Sequence, residues 1–214
     1  MDMKGVELFF GKISIKMNKP KYFKDFSGLR SDRLFLRKLS MEDAKDIFEF
    51  TSLDETSNGL SWYPHKNINT TREFILSILD KYENNVASQW AIELIEEKRV
   101  IGITGFISFF DEHHKGEVAY VLSPRYQGKG FMTESLNMVI QYAFNKMDLN
   151  RIEAKCEIDN IASERVMQKL GMCFEGCLYD YLYRKGEARS YKFYALLKKD
   201  NTNYFYKLHT NSHY

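Results

Sequence analysis

Residues 123–134 read Ser-Pro-Arg-Tyr-Gln-Gly-Lys-Gly-Phe-Met-Thr-Glu. An apolar run at 118–122 precedes them, and a segment of clear helical period follows. A strand, a glycine-bearing turn and a helix start are suited to holding phosphate. The first helical turn leaves several N–H groups without internal partners, and the macrodipole adds about half a positive charge there. Gly128 and Gly130 lack a Cβ, so a diphosphate can come close to the backbone. Arg125 and Lys129 could add side-chain charge. A Walker A loop is excluded, because Gly128-Lys129 is followed by Gly130 rather than Ser or Thr. A G-x-G-x-x-G dinucleotide loop is excluded too, because its third glycine position holds Thr133. Standing alone, the glycine pair fits an ordinary tight turn equally well.

Two further blocks lie around this one in a fixed order. One is Asn160-Ile-Ala-Ser163, with Val166, Lys169-Leu-Gly171-Met172 and Glu175-Gly176 after it. The other is Arg33-Leu-Phe-Leu-Arg37, followed by Glu42-Asp43-Ala44. With residues 125–134 they resemble the GCN5-related N-acetyltransferases (GNAT), whose acyl-CoA loop runs Arg/Gln-x-x-Gly-x-Gly/Ala. Phe131-Met-Thr-Glu134 is similar to the branch that acetylates protein N-termini, notably those of ribosomal proteins. The resemblance spans about residues 31–198.

The resemblance implies an α/β (α+β) GNAT fold: a mixed, mostly antiparallel seven-stranded sheet, helices on both faces and a parallel central strand pair. It implies acetyl-CoA as co-substrate and no metal. The amides of Gln127, Gly128, Lys129, Gly130, Phe131, Met132 and Thr133 would hold the pyrophosphate. The pantetheine arm would lie along the strand from Ala119 to Ser123, with Val121, Leu122 and Ser123 as its binding residues and Asn160 binding it from the next strand's end. The backbone N–H of Leu122 would stabilise the oxyanion. Ser163 is the candidate for assisting the departing thiolate, since the family's usual tyrosine position one turn later holds Met167, which has no proton to give.

The acceptor amine must be neutral to attack. An α-amine titrates near 8 and lysine near 10.4, so at neutral pH roughly a tenth of the former is neutral against about one in a few thousand of the latter. An α-amine can therefore react with little help from a base. Glu117, Glu157 and Asp180 are the candidate bases, with Glu117 foremost. Each reads more readily as an ordinary wet-face carboxylate. The loop carrying Trp62 and Tyr63, with Asp54 and Glu55, is expected to border the acceptor groove. His113-His114 falls in a turn without convergent acids, a poor metal site.

The remaining pattern supplies the elements that must position these groups. Residues 33–38 alternate as a strand. Ser40 with Asp43, and Thr70 with Glu73, read as helix capping boxes. Ala44, Ile47, Phe48 and Thr51 form one apolar stripe, and Phe74, Ile75, Ile78, Leu79 and Tyr82 another. Segments 90–94, 100–110 and 117–122 are joined by short turns, which predicts an antiparallel meander, with Gly102 and Gly105 marking a bulge or bend. Leu136, Val139, Ile140, Ala143, Phe144 and Met147 make the strongest helical stripe. Ile152, Ala154, Cys156 and Ile158 face inward on the next strand, which implies a parallel pair with the strand at 117–122. A short helix at 161–170 stops at Gly171, and strands at 174–183 and 190–197 finish the sheet.

At 214 residues with a formal charge of +2, the chain suits one main domain and gives no reason to expect nucleic acid as a partner. Residues 1–30 carry seven Lys/Arg against three acids and read as a basic extension, 31–198 as the catalytic domain, and 199–214 as a polar tail. Three cysteines, 156, 173 and 177, favour a reducing compartment. No apolar run is long enough to span a bilayer and no signal peptide is evident. A cytoplasmic monomer or homodimer acting on an amine, possible protein N-termini included, is the expectation. A small amine acceptor, or a non-catalytic acyl-CoA-binding module, are the alternatives.

Overall fold

The computed structural model describes residues 22–57, 59–60 and 62–201. In chain order they form β1 (Leu29–Arg30), β2 (Leu34–Arg37), α1 (Ala44–Thr51), α2 (Asp54–Ser57), α3 (Ile68–Glu83), β3 (Gln89–Leu94) and β4 (Arg99–Phe110). There follow β5 (Lys115–Leu122), α4 (Phe131–Asn145), β6 (Arg151–Glu157), α5 (Ile161–Lys169), β7 (Cys173–Arg184) and β8 (Glu187–Leu197). The expected strand at 12–16 lies outside the described residues.

All the strands join one sheet in the order β1-β2-β3-β4-β5-β6-β8-β7. It has eight strands rather than seven. The extra one is β1, which turns at Ser31 and pairs Leu29 with Leu36 and Arg30 with Phe35. Packing also carries the domain back beyond residue 31. Phe23 and Phe26 are buried, and the Phe26 ring stacks on Trp90 at 4.2 Å.

The meander β3-β4-β5 is antiparallel, and its ladder slips near Phe106 and Ser108, one residue past Gly105. Every residue from Val100 to Phe106 is buried, so both faces of the sheet are covered. The α4 stripe from Leu136 to Met147 is wholly in the core. On α1 the stripe includes Phe50, while Phe48 stands on its shoulder, half-buried. Helix α3 begins three residues earlier than the Thr70 cap implies. The Asn67 side chain accepts from the N–H groups of Asn69 and Thr70 at 2.9 and 3.1 Å.

The feature that makes room for a ligand is the central parallel pair. β5 and β6 pair only at Lys115–Arg151, Gly116–Ile152 and Glu117–Glu153. Beyond that, β5 stays with β4 as far as Leu122, and β6 stays with β8 as far as Glu157. The two strands part like the arms of a fork whose vertex is at Glu117.

Candidate active site

The fork's edge on β5 follows from the ladder. Ser123 N–H donates to Ile101 C=O at 2.8 Å, so its neighbours in phase, Val121 and Ala119, also turn to β4. Leu122 and Tyr120 therefore present their N–H and C=O groups to the open side. Of the three residues expected along the pantetheine, Leu122 faces the fork with its amide, and Val121 and Ser123 flank it. The Gln127 amide nitrogen approaches Leu122 C=O at 3.4 Å.

The glycine turn closes one end of the fork. Gly128 and Gly130 have φ of +77° and +82°, a conformation costly to residues with a Cβ. Gly130 is the N-cap of α4 and supplies no side-chain acceptor, unlike Asn67 on α3 and Asn160 on α5. The first internal bond of α4 is Glu134 N–H to Gly130 C=O at 3.0 Å. The amides of Phe131, Met132 and Thr133 precede it at the helix mouth. Arg33 braces the turn from the far side. Its Nε donates to Glu134 at 2.8 Å, its Nη1 to Lys129 C=O at 3.3 Å, and its guanidinium lies over the Phe131 ring at 4.6 Å. Ser31 Oγ adds a bond to Glu134 at 2.7 Å. Arg125 and Lys129 both lie against the Tyr126 ring.

The other arm ends in Asn160. Its Oδ1 caps α5 by accepting Ser163 N–H at 3.0 Å, and a Cβ on Gly59 would come within 3.0 Å of its Nδ2. Ser163 Oγ lies 2.7 Å from the Tyr120 hydroxyl, which spans the fork from β5. Burial pushes the Tyr120 phenol above its ordinary value, and the bond to Ser163 opposes this only in part. Met167 is fully buried and belongs to the core.

Two of the three candidate bases, Glu117 and Glu157, are already paired. Glu117 is paired with Lys155 at the fork's vertex. Glu157 was expected on a wet face, yet it is buried and paired with Arg184, because β6 ends there under the β7–β8 hairpin. Ile158, expected inward, lies past the strand end and is exposed. Asp180 sits at an irregularity of β7, with its N–H donated to Ser190 Oγ at 3.0 Å.

The loop of Trp62 and Tyr63 is fastened to the same hairpin. Arg184 Nη1 donates to Leu60 C=O at 2.9 Å, and Lys185 Nζ donates to Ser57 C=O at 3.1 Å while lying 5.2 Å from the Tyr63 ring. Trp62 packs on His65 at 5.2 Å, and His65 Nδ1 meets Thr51 and Thr71 hydroxyls at 3.0 and 2.8 Å. A shallow hollow of about 460 Å³ beside Tyr63 is lined by Asp54, Tyr63, Pro64 and Lys66.

A parallel central pair and a glycine turn at the start of a helix are what the three sequence blocks imply. Residues 33–173 match the acetyltransferase (GNAT) domain family. The chain belongs to the GNAT family. It is similar to the uncharacterized N-acetyltransferase p20 of Bacillus licheniformis, 33% identical over 80% of this chain and 97% of that protein. It is similar also to the putative ribosomal N-acetyltransferase YdaF of Bacillus subtilis, 24% identical over 79% of this chain and 94% of that one. Among solved structures, a GNAT-family acetyltransferase from Bacillus anthracis superposes with a TM-score of 0.73 at 28% identity, covering 80% of this chain and 99% of that one.

This GNAT protein is accordingly an acetyl-CoA-dependent N-acetyltransferase. The residues present fit that co-substrate. A Cβ on Gly128 would meet nothing within 4 Å, so the space above the turn is open to a diphosphate. The free edge at Tyr120 and Leu122 offers amide partners to an amide-rich arm. Three features escaped the sequence reading: the Tyr120–Ser163 contact, the Arg33 brace and the Glu157–Arg184 pair. Tyr120 was within reach, since it lies two residues before Leu122 and so shares its free edge. The two ion pairs join residues far apart in the chain and left no local pattern.

Proposed function

We propose that this acetyltransferase acts on a protein N-terminal α-amine. The observation that carries this is the state of the carboxylates at the fork. Glu117 is held by Lys155 and Glu157 by Arg184, so neither is free to take a proton from an ammonium. An acceptor that is partly neutral on its own suits such a site, and an α-amine is one while a lysine or polyamine is not. The acceptor side also carries Arg184 and Lys185, and its hollow sets Lys66 beside Asp54, which does not favour a polycation. The printed name of YdaF agrees with a ribosomal-protein acceptor.

On this reading each residue takes one role. The amides of residues 127–133 bind the diphosphate, with Lys129 and Arg125 nearby. Tyr120, Leu122 and Asn160 align the arm. The co-substrate supplies an activated acetyl thioester. The Leu122 N–H donates to its carbonyl oxygen as negative charge develops there, an effect worth about 3 kcal/mol in comparable sites. Ser163 faces the departing sulfur, Trp62 and Tyr63 cover the acceptor's flank, and water receives the amine's surplus proton.

A second reading, acetylation of a small amine, has support from the spermidine N(1)-acetyltransferase of Escherichia coli, 23% identical over 72% of this chain and 81% of that protein. Thiol release from acetyl-CoA with free-N-terminus peptides, N-blocked lysine peptides and spermidine separates the two. Turnover confined to free N-termini is the expected result. Faster turnover of spermidine would overturn the α-amine assignment.

A further inference from the structure

The fork is bridged by two hydroxyls from opposite arms. Tyr120 Oη lies 2.7 Å from Ser163 Oγ, a contact in which either hydroxyl could donate, and its O–H also reaches the Ser163 C=O acceptor at the longer distance of 3.2 Å. Ser163 is itself held, since its N–H is bonded to Asn160 Oδ1 at 3.0 Å. The position one turn along α5 holds Met167, buried completely, so no second side chain of that helix face competes for the place. A serine hydroxyl has one proton and two acceptor lone pairs. If the tyrosine proton fills one lone pair, the serine proton is left free to point into the fork.

We propose that Tyr120 is a positioning residue for the acetyl transfer: it donates to Ser163 Oγ and so aims the Ser163 proton at the sulfur of the bound coenzyme. This rests on the reading of the fork as the acetyl-CoA site. In the reaction the amine lone pair forms the new C–N bond, the C–S bond breaks and its electron pair stays on sulfur. The amine's surplus proton reaches that sulfur through water. Tyr120 and Ser163 keep their own protons throughout and act as hydrogen-bond donors in series. Burial keeps the phenol protonated, in accord with a donor that does not ionise.

Other groups around the pair do not confuse a titration of the bound thiol. Cys156 on β6 is pushed up to about 11, chiefly by burial. Glu164 on α5 is paired with Lys192 on β8 at 2.7 Å and accepts Tyr194 Oη at 2.7 Å.

The test uses the full chain, with Tyr120→Phe and Ser163→Ala alone and together. The first readout is binding, by calorimetry, of coenzyme A and of its desulfo analogue across the ordinary thiol range around 8.5. A donor aimed at sulfur favours the thiolate, so the wild type should bind coenzyme A more tightly as pH rises, relative to the desulfo analogue. Both single variants should lose most of that excess. The second readout is kcat with the acceptor found above. Each single variant should lose about tenfold to a hundredfold, as for a hydrogen bond to a charged group. The double variant should lose no more than Ser163→Ala alone. If Tyr120→Phe keeps the wild-type pH dependence of coenzyme A binding, or if the two losses multiply, the proposal is overturned even though the enzyme turns over. If the wild type binds neither compound and releases no thiol with any amine, the underlying reading fails and the proposal with it.

Discussion

The Glu157 carboxylate at the end of β6 is paired with the Arg184 guanidinium at the end of β7, and both side chains are almost wholly buried. The same guanidinium holds Leu60 C=O, so this one residue joins the fork, the hairpin and the acceptor loop. Ion pairs of this kind contribute little net stability as pairs, but removal of one partner strands a buried charge.

Arg184→Ala should therefore destabilise the protein by about 3–5 kcal/mol, a fall in melting temperature on the order of 10 °C. The double variant Glu157→Gln with Arg184→Met should recover most of that loss. Thermal melts of the single and double variants check this. If the double variant melts no higher than Arg184→Ala, the buried-charge account is wrong. The loop should also loosen in both variants, which proteolysis near residue 60 would report.

Gly128→Ala isolates the diphosphate contact. Its added Cβ meets no protein atom within 4 Å, so the fold loses only the cost of a left-handed alanine, about 1–2 kcal/mol. Coenzyme A affinity should fall further, by about tenfold or more, because the methyl group stands where phosphate oxygens approach the amides. Calorimetric titration with coenzyme A measures it. Unchanged affinity in a folded variant would remove this turn from the binding site.

What was readable in the sequence follows from how local each determinant is. The α4 stripe was legible because six apolar positions share one face and the core takes all of them. The glycine turn was legible because its φ values demand glycine at two fixed positions. Thr70 with Glu73 satisfied the capping pattern, yet Asn67 does the capping, because local sequence offers both and tertiary packing selects. Glu157 read as solvated from its alternation alone. Its burial comes from β7 and β8, which begin only at Cys173 and Glu187, later in the chain. Leu122 was named as the oxyanion donor by analogy alone, and the ladder phase set by Ser123 turns its N–H to the open side of the fork.

The engaged carboxylates make a prediction about pH and rate. With Glu117 and Glu157 both held in ion pairs, kcat/KM should track the neutral fraction of the acceptor, rising tenfold per pH unit below the α-amine value near 8 and levelling above it. A lysine-side-chain acceptor would keep rising toward about 10.4. Initial rates with one peptide, free at its α-amine and carrying one lysine, distinguish the two, and mass spectrometry places the acetyl group. A plateau already reached near pH 6 would instead mean that a protein base accepts the proton.

A second pH effect concerns stability and arises at His65. Its ring is buried between Thr51 and Thr71, beneath Trp62, and burial lowers its affinity for a proton below the ordinary value near 6.5. The sign follows from linkage. Above about 6.5 the imidazole is neutral in both folded and unfolded chains and contributes no pH dependence. Below that value the unfolded chain takes a proton that the folded one resists, so stability falls with pH, by at most about 1.4 kcal/mol per unit for one proton. The fall ends once pH passes the lowered folded value. His65→Gln keeps a polar side chain between the two threonines but cannot titrate. It should be less stable than the wild type near pH 7 and lose less stability on acidification, so that the gap between the two narrows toward pH 5. Denaturant midpoints at matched ionic strength measure this gap. A gap that stays constant would show that His65 does not couple the acceptor loop to protons.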